Sequence, residues 1–310
     1  MICKDVLEAV GHTPLVRLNR LVGNDDAEVL IKYEALNVGG SIKTRTALAM
    51  IQTAEARGDI RPGTIIAEPT SGNQGIGIAL VAAVRGYEAV IVMPDSVSVE
   101  RRSLVEAYGA RVILVEDKGD IGQCIEECLS TVRRLAADNP RVYIPQQFVN
   151  PDNPRVHYEH TGEEIAEQIG KPVHGFCSGI GTGGSISGIG KKLRENWPGI
   201  LIWALEPEQA AILSGGPIGS HIQMGIGDGL IPDNLDTGIY DAVHIIRDAE
   251  AVQTARALAR QEGLLCGISG GTNVAGALRM AKQLGKGKTV VTILPDTGER
   301  YFSTPLFARP

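Results

Sequence analysis

The chain has 310 residues, 43% of them hydrophobic and 21% charged, with a formal net charge of −6. Such a length buries a sizeable core without disulfide staples, and the acidic balance excludes a nucleic-acid partner, which needs a basic footprint. No apolar run reaches the roughly 20 residues of a membrane span, and residues 1–18, "MICKDVLEAVGHTPLVRL", lack a signal-peptide apolar stretch, so a cytoplasmic location is expected.

Taken in chain order, short apolar runs predict strands at 28–34, 64–68, 88–93, 111–115, 173–178, 200–205, 243–246 and 289–294. Runs such as "AVIVM" and "VVTIL" are apolar throughout, as in a parallel sheet covered on both faces. Helical patterns fill the intervals at 41–57, 75–85, 99–108, 121–137, 156–169, 184–196, 250–262 and 271–284. The first is expected to be capped by Ser41 and to stop before Gly58. Cys124 and Cys128, four apart, read as small core-facing residues. His157 and His160 resemble a ligand pair but are ordinary packing or surface residues on this pattern. Five cysteines without framework spacing are expected as free thiols, and no metal site is expected.

The alternation of strand and helix gives an α/β fold of parallel units flanked by helices. Two lobes are expected, 1–146 and 147–310, dividing in the Pro- and Asn-rich "PQQFVNPDNP". The first roughly 35 residues are left open to packing on the other lobe. Residues 207–236 form a long Gly-rich loop, which in a compact enzyme is commonly functional.

Four segments carry chemistry. In "NVGGSIKTR", Lys43 falls in the first turn of a helix, whose positive end favours a neutral amine. In "EPTSGNQG", Thr70, Ser71, Gly72 and Asn73 sit between a strand and a helix, a natural carboxylate site. In "SGIGTGGS", Gly181, Thr182, Gly183, Gly184 and Ser185 offer backbone N–H groups and hydroxyls to a phosphate. Gly179, Gly181 and Gly184 mimic a dinucleotide fingerprint, but an acidic ribose partner is missing and a monophosphate fits better. In "CGISGGTN", Ser269 reads as a residue of the turn ahead of a helix.

Together with "GHTPLVRL", "MPDSVSVERR" and "LPDTGERYFST", these motifs resemble the cysteine synthase (O-acetylserine sulfhydrylase) family of fold type II pyridoxal-phosphate enzymes, over nearly the whole chain. The resemblance implies a tryptophan synthase β-like fold and the cofactor pyridoxal 5′-phosphate. It implies that Lys43 holds the cofactor covalently, that Asn73 bonds its 3′-oxygen and that residues 181–185 cup its phosphate. Ser269 would face its pyridine nitrogen. Thr70, Ser71, Gly72, Asn73, Gln74 and Gln147 would hold a substrate α-carboxylate. The implied reaction is O-acetyl-L-serine plus sulfide giving L-cysteine plus acetate, through an aminoacrylate. A homodimer and a serine acetyltransferase partner follow by the same resemblance.

The chain departs from the family pattern at Val38 (usually Pro), Thr44 (usually Asp) and Gln74 (usually Thr). Asp228 stands where cysteine synthases commonly carry a small apolar residue. A similar Asp occurs in members that consume cysteine and release sulfide while forming lanthionine. An L-cysteine lyase, or a lanthionine- or cystathionine-forming enzyme, is therefore the alternative.

Overall fold

A computed structural model describes residues 2–119 and 121–307. The first half runs β1 (Leu15–Arg17), β2 (Glu28–Tyr33), α1 (Lys43–Arg57), β3 (Ile65–Pro69), α2 (Asn73–Arg85), β4 (Glu88–Pro94), α3 (Val99–Ala107), β5 (Arg111–Val115), α4 (Ile121–Asp138) and β6 (Val142–Tyr143). The second half runs α5 (Asp152–Val156), α6 (Glu163–Ile169), β7 (Gly175–Gly179), α7 (Gly184–Asn196), β8 (Leu201–Pro207), β9 (Ala242–Ile246), α8 (Asp248–Ala257), α9 (Ile268–Leu284) and β10 (Thr289–Leu294). Among the described residues, no helix is long and apolar enough to cross a membrane.

The strands form two sheets, one in the order β5-β4-β3-β6 and one in the order β1-β2-β10-β7-β8-β9. The first is parallel throughout. The second is parallel except for β1, which pairs antiparallel with β2. Its strands alternate their side chains between two cores. Val29, Ile31, Cys177, Trp203 and Val290 pack on one face, and Leu30, Phe176, Ile202, Val291 and Ile293 on the other. This burial on both faces is the physical reason the strands read as unbroken apolar runs. Cys124 and Cys128 pack against β3 and β4, as expected.

Three local expectations are corrected. Ser41 does not cap α1: its backbone is extended (φ −161°, ψ 160°) and α1 starts at Lys43 after Ile42. Ser41 instead bridges Asp296, and the Ile42 N–H donates to Pro295 O at 2.8 Å, which holds this stretch straight. Ser269 lies inside the first turn of α9, because Gly267 takes the N-cap position. The helix predicted at 156–169 is a short α5, a π turn at His157–Gly162 and α6, and α8 likewise continues into a π turn at Leu258–Glu262.

A buried ionic cluster fixes α1 against the six-stranded sheet. Arg45 bonds Glu34 at 2.8 Å and Glu164 at 2.6 Å, and Lys32 reaches Glu164 at 2.7 Å. Thr13 Oγ1 donates to Glu34 Oε1 at 2.6 Å. Burial pushes the Glu164 carboxyl up, but the hydrogen bonds and charges of Arg45 and Lys32 outweigh it and hold the group down to about 2. The cluster sits two residues along α1 from Lys43, so it sets where that lysine emerges.

Candidate active site

The C-terminal ends of parallel strands are where ligands enter such sheets. There, the loop after β3, the start of α1, the loop after β7 and the start of α9 surround one cavity, partly open to solvent. Lys43, Thr70, Ser71, Asn73, Gln74, Gln147, Gly181, Thr182, Gly183, Ser185, Asp228 and Ser269 all line it. Gly72 and Gly184, also expected at the site, stand behind its wall, against Arg101 and Asn153 respectively.

Lys43 Nζ donates to Thr182 Oγ1 at 3.3 Å, joining the lysine to the Gly-rich loop 139 residues away. Burial of the amine in the cavity brings its pKa down from 10.5 to about 8, while the nearby Asp228 charge works the other way. Burial in turn raises the pKa of Asp228, opposed by Lys43 and His221.

Thr182 Oγ1 also accepts from Asn153 Nδ2 at 2.9 Å. With both lone pairs engaged, its one hydrogen is left to donate. Ser185 Oγ meets His157 Nε2 at 3.3 Å, and His157 Nδ1 meets Thr161 Oγ1 at 3.0 Å. Burial holds the His157 imidazole well below its ordinary range, so it is neutral. Asn153 and His157 thus fix the two hydroxyls of the loop. His160 lies exposed and takes no part.

On the opposite wall, Gln147 Nε2 donates to Pro69 O at 3.0 Å and its N–H donates to Glu68 Oε1 at 2.8 Å. Asn153 and Asn234 both donate to Gln147 O at 2.8 Å. Asn73 is held at both ends of its amide: Nδ2 donates to Asp296 Oδ2 at 2.7 Å, and Oδ1 accepts from Arg300 at 2.6 Å. Thr46 Oγ1 lies 2.7 Å from Gln74 Oε1.

The sequence reading missed Glu68, Arg101, Asn153, Asn234, Asp296 and Arg300. Each lay in a segment that stood out without a role for that residue: Glu68 in "EPTSGNQG", Arg101 in "MPDSVSVERR", Asn153 in "PQQFVNPDNP", Asn234 in the 207–236 loop, and Asp296 and Arg300 in "LPDTGERYFST".

The family model of the pyridoxal-phosphate-dependent enzymes matches residues 6–296. The chain belongs to that family. A cysteine synthase of Staphylococcus aureus (strain Mu50) is 46% identical over 305 residues, 98% of this chain and 97% of that one. The crystal structure of O-ureido-L-serine synthase superposes with a TM-score of 0.94 at 40% identity, covering 99% of this chain and 96% of that one. A hydrogen sulfide-producing enzyme from Fusobacterium nucleatum superposes with a TM-score of 0.92 at 40% identity, covering 97% and 100%.

As a member of this family the protein uses pyridoxal phosphate, and the cavity's donor set fits it. The loop at residues 181–185 runs into the N-terminus of the 13-residue α7, where helix N–H groups have no intrahelical partner. Side chains are excluded from this cradle. A Cβ on Gly181 would lie 2.4 Å from Gly225 O, and one on Gly184 would lie 2.1 Å from Asn153 Oδ1. A phosphate is therefore approached by bare backbone and two oriented hydroxyls.

Proposed function

We propose that the protein is a cysteine synthase, converting O-acetyl-L-serine and sulfide to L-cysteine and acetate. The observation that carries this is a desolvated lysine amine, 3.3 Å from the Gly-rich loop, in one cavity with the Thr70–Gln74 loop and Gln147. The sequence identity with cysteine synthases supports it. Lys43 would hold the cofactor covalently, residues 181–185 its phosphate, Asn73 its 3′-oxygen, and Ser269 would face its pyridine nitrogen. Bound there, pyridoxal phosphate supplies an electron sink that makes the α-hydrogen of an amino acid removable.

The chain's own groups do the rest. Lys43 Nζ, with its pKa near working pH, takes the α-proton and later returns it. Thr70, Ser71, Asn73 and Gln147 hold the α-carboxylate, orienting the α-hydrogen toward Lys43. Neutral Ser269 leaves the cofactor nitrogen without the ion pair that an Asp would provide, which suits elimination over transamination.

A second reading has one observation in its favour. Asp228 Oδ2 would lie 3.7 Å from a Cβ on Gly181, and its carboxyl has a raised pKa. Such a group can give a proton to a departing thiolate and take one from an incoming thiol, as a cysteine-consuming, sulfide-releasing enzyme requires.

A sulfide electrode separates the two. With holoenzyme, net sulfide consumption in the presence of O-acetyl-L-serine is expected; dominant release from L-cysteine alone would replace the first reading with the second. The same proposal carries a cytoplasmic location, a homodimer, a serine acetyltransferase as partner, and a two-lobe division at residues 146/147. Loss of L-serine binding would accompany loss of the whole reading.

A further inference from the structure

Arg101, on α3, is 1% exposed, among the largest fully buried side chains described. It falls in the motif "MPDSVSVERR", to which the sequence alone assigns no role, yet it lines the active-site cavity. Its contacts do not satisfy it. Nη1 meets Ser98 Oγ at 3.4 Å and Met224 Sδ at 2.8 Å, and Nη2 stands 3.9 Å from Asp296 Oδ2, too far for a hydrogen bond. Nε has no hydrogen-bond partner. The guanidinium carbon sits 4.3 Å over the Tyr301 ring.

The side chain presses on the loop expected to take the substrate carboxylate. Gly72 adopts φ 148°, ψ −73°, and a Cβ there would lie 2.1 Å from Arg101 Cδ and 2.5 Å from Nε. Glycine at 72 is therefore what allows the arginine to run directly beneath the loop backbone.

The local charge does not balance. Two buried guanidiniums, Arg101 and Arg300, share one carboxylate, Asp296. Asp296 Oδ2 is already taken by Asn73 Nδ2 and Tyr301 OH, each at 2.7 Å. Burial keeps Tyr301 protonated, so it adds no negative charge. Glu100, the preceding residue, turns to solvent and accepts from Ser303 N and Oγ at 2.8 and 2.7 Å. A buried positive charge without a full counter-ion is costly unless a ligand supplies one.

We infer that Arg101 is the charge that recognises the substrate's α-carboxylate, acting from beneath the Thr70–Asn73 loop, and so sets affinity for α-amino acids against plain amines. This rests on the amino-acid substrate of the proposed reaction. Substrate binding completes an ion cluster that the protein leaves one anion short.

The test is binding without turnover, by calorimetry on holoenzyme, with L-serine and with ethanolamine, the same molecule lacking the carboxylate. Arg101→Met is expected to weaken L-serine about tenfold or more, the scale of one poorly screened charge contact, and to leave ethanolamine within about twofold. Arg101→Lys, which keeps the charge, should recover part of the loss and guards against a variant that does not fold. Visible absorbance of the bound cofactor should be unchanged in both. Equal weakening of both ligands would make Arg101 a structural strut, and no weakening of either would make it a bystander; each overturns the inference. A wild-type protein that binds neither ligand would instead overturn the amino-acid reading itself.

Discussion

The depressed pKa of Lys43 has a direct kinetic consequence. Only a neutral amine attacks an aldehyde. With a pKa of about 8, roughly 9% of Lys43 is neutral at pH 7, against roughly 0.03% for a lysine at the ordinary 10.5. Capture of pyridoxal phosphate by the apoenzyme should therefore gain about 300-fold at pH 7 from this net shift. The assay is stopped-flow mixing of apoenzyme with cofactor from pH 6 to 10, with each rate divided by that of a simple alkylamine with the same cofactor. The enzyme's own rate should climb tenfold per pH unit up to about 8 and then level. Asp228→Asn removes the charge that opposes the shift, so the bend should move to lower pH. A wild-type rate still climbing steadily at pH 10, in parallel with the alkylamine, would refute the desolvated lysine and with it the base assigned to the α-proton.

Glu164→Gln should destabilise the fold by about 3 kcal/mol at pH 7, because Arg45 and buried Lys32 each lose a charged partner. The folded pKa of Glu164 is depressed, so its contribution is present above 4.5 and fades as pH falls toward 2; urea titrations should show the gap to wild type closing below pH 4.5. Glu68 behaves oppositely: burial raises it from 4.5 to about 7, although the backbone N–H groups of Gln147 and Gln146 pull it down. Its contribution is full below 4.5 and lost as pH rises through 7, so Glu68→Gln should gain about 2–3 kcal/mol on wild type between pH 5 and 8; parallel stability profiles would contradict this.

The strands buried on both faces were legible because their composition answers to the sheet alone: β10 begins and ends where its apolar run does, and β4 runs one residue past its own. β1 and β6, three and two residues long, carry too little pattern to register and owe their pairing to neighbours. Ser41 was misread as a cap because its decisive neighbour, Pro295, lies far along the chain, and Ser269 was placed ahead of the helix because Gly267, two residues before it, takes the N-cap position without a capping side chain. At the site, the cavity-lining polar residues were readable from their loops. Arg101 was not, since "VERR" looks solvated until Gly72 and Tyr301, from distant parts of the chain, close over it. His157 was likewise readable only as a packing residue, because its partner Ser185 is 28 positions on.

The pairing of β2 with β10 sets Glu28 opposite Thr289. On a ribosome adding roughly 5–20 residues per second, β2 waits about 13–50 seconds for its neighbour. During that time the four-stranded sheet has all its strands in hand, from Ile65 to Tyr143. The apolar Val29 and Ile31 remain uncovered on an open strand edge. Nascent chains of this protein should therefore be at their most chaperone-dependent late in synthesis, and shortening them by the β10 segment should turn a delay into persistent insolubility.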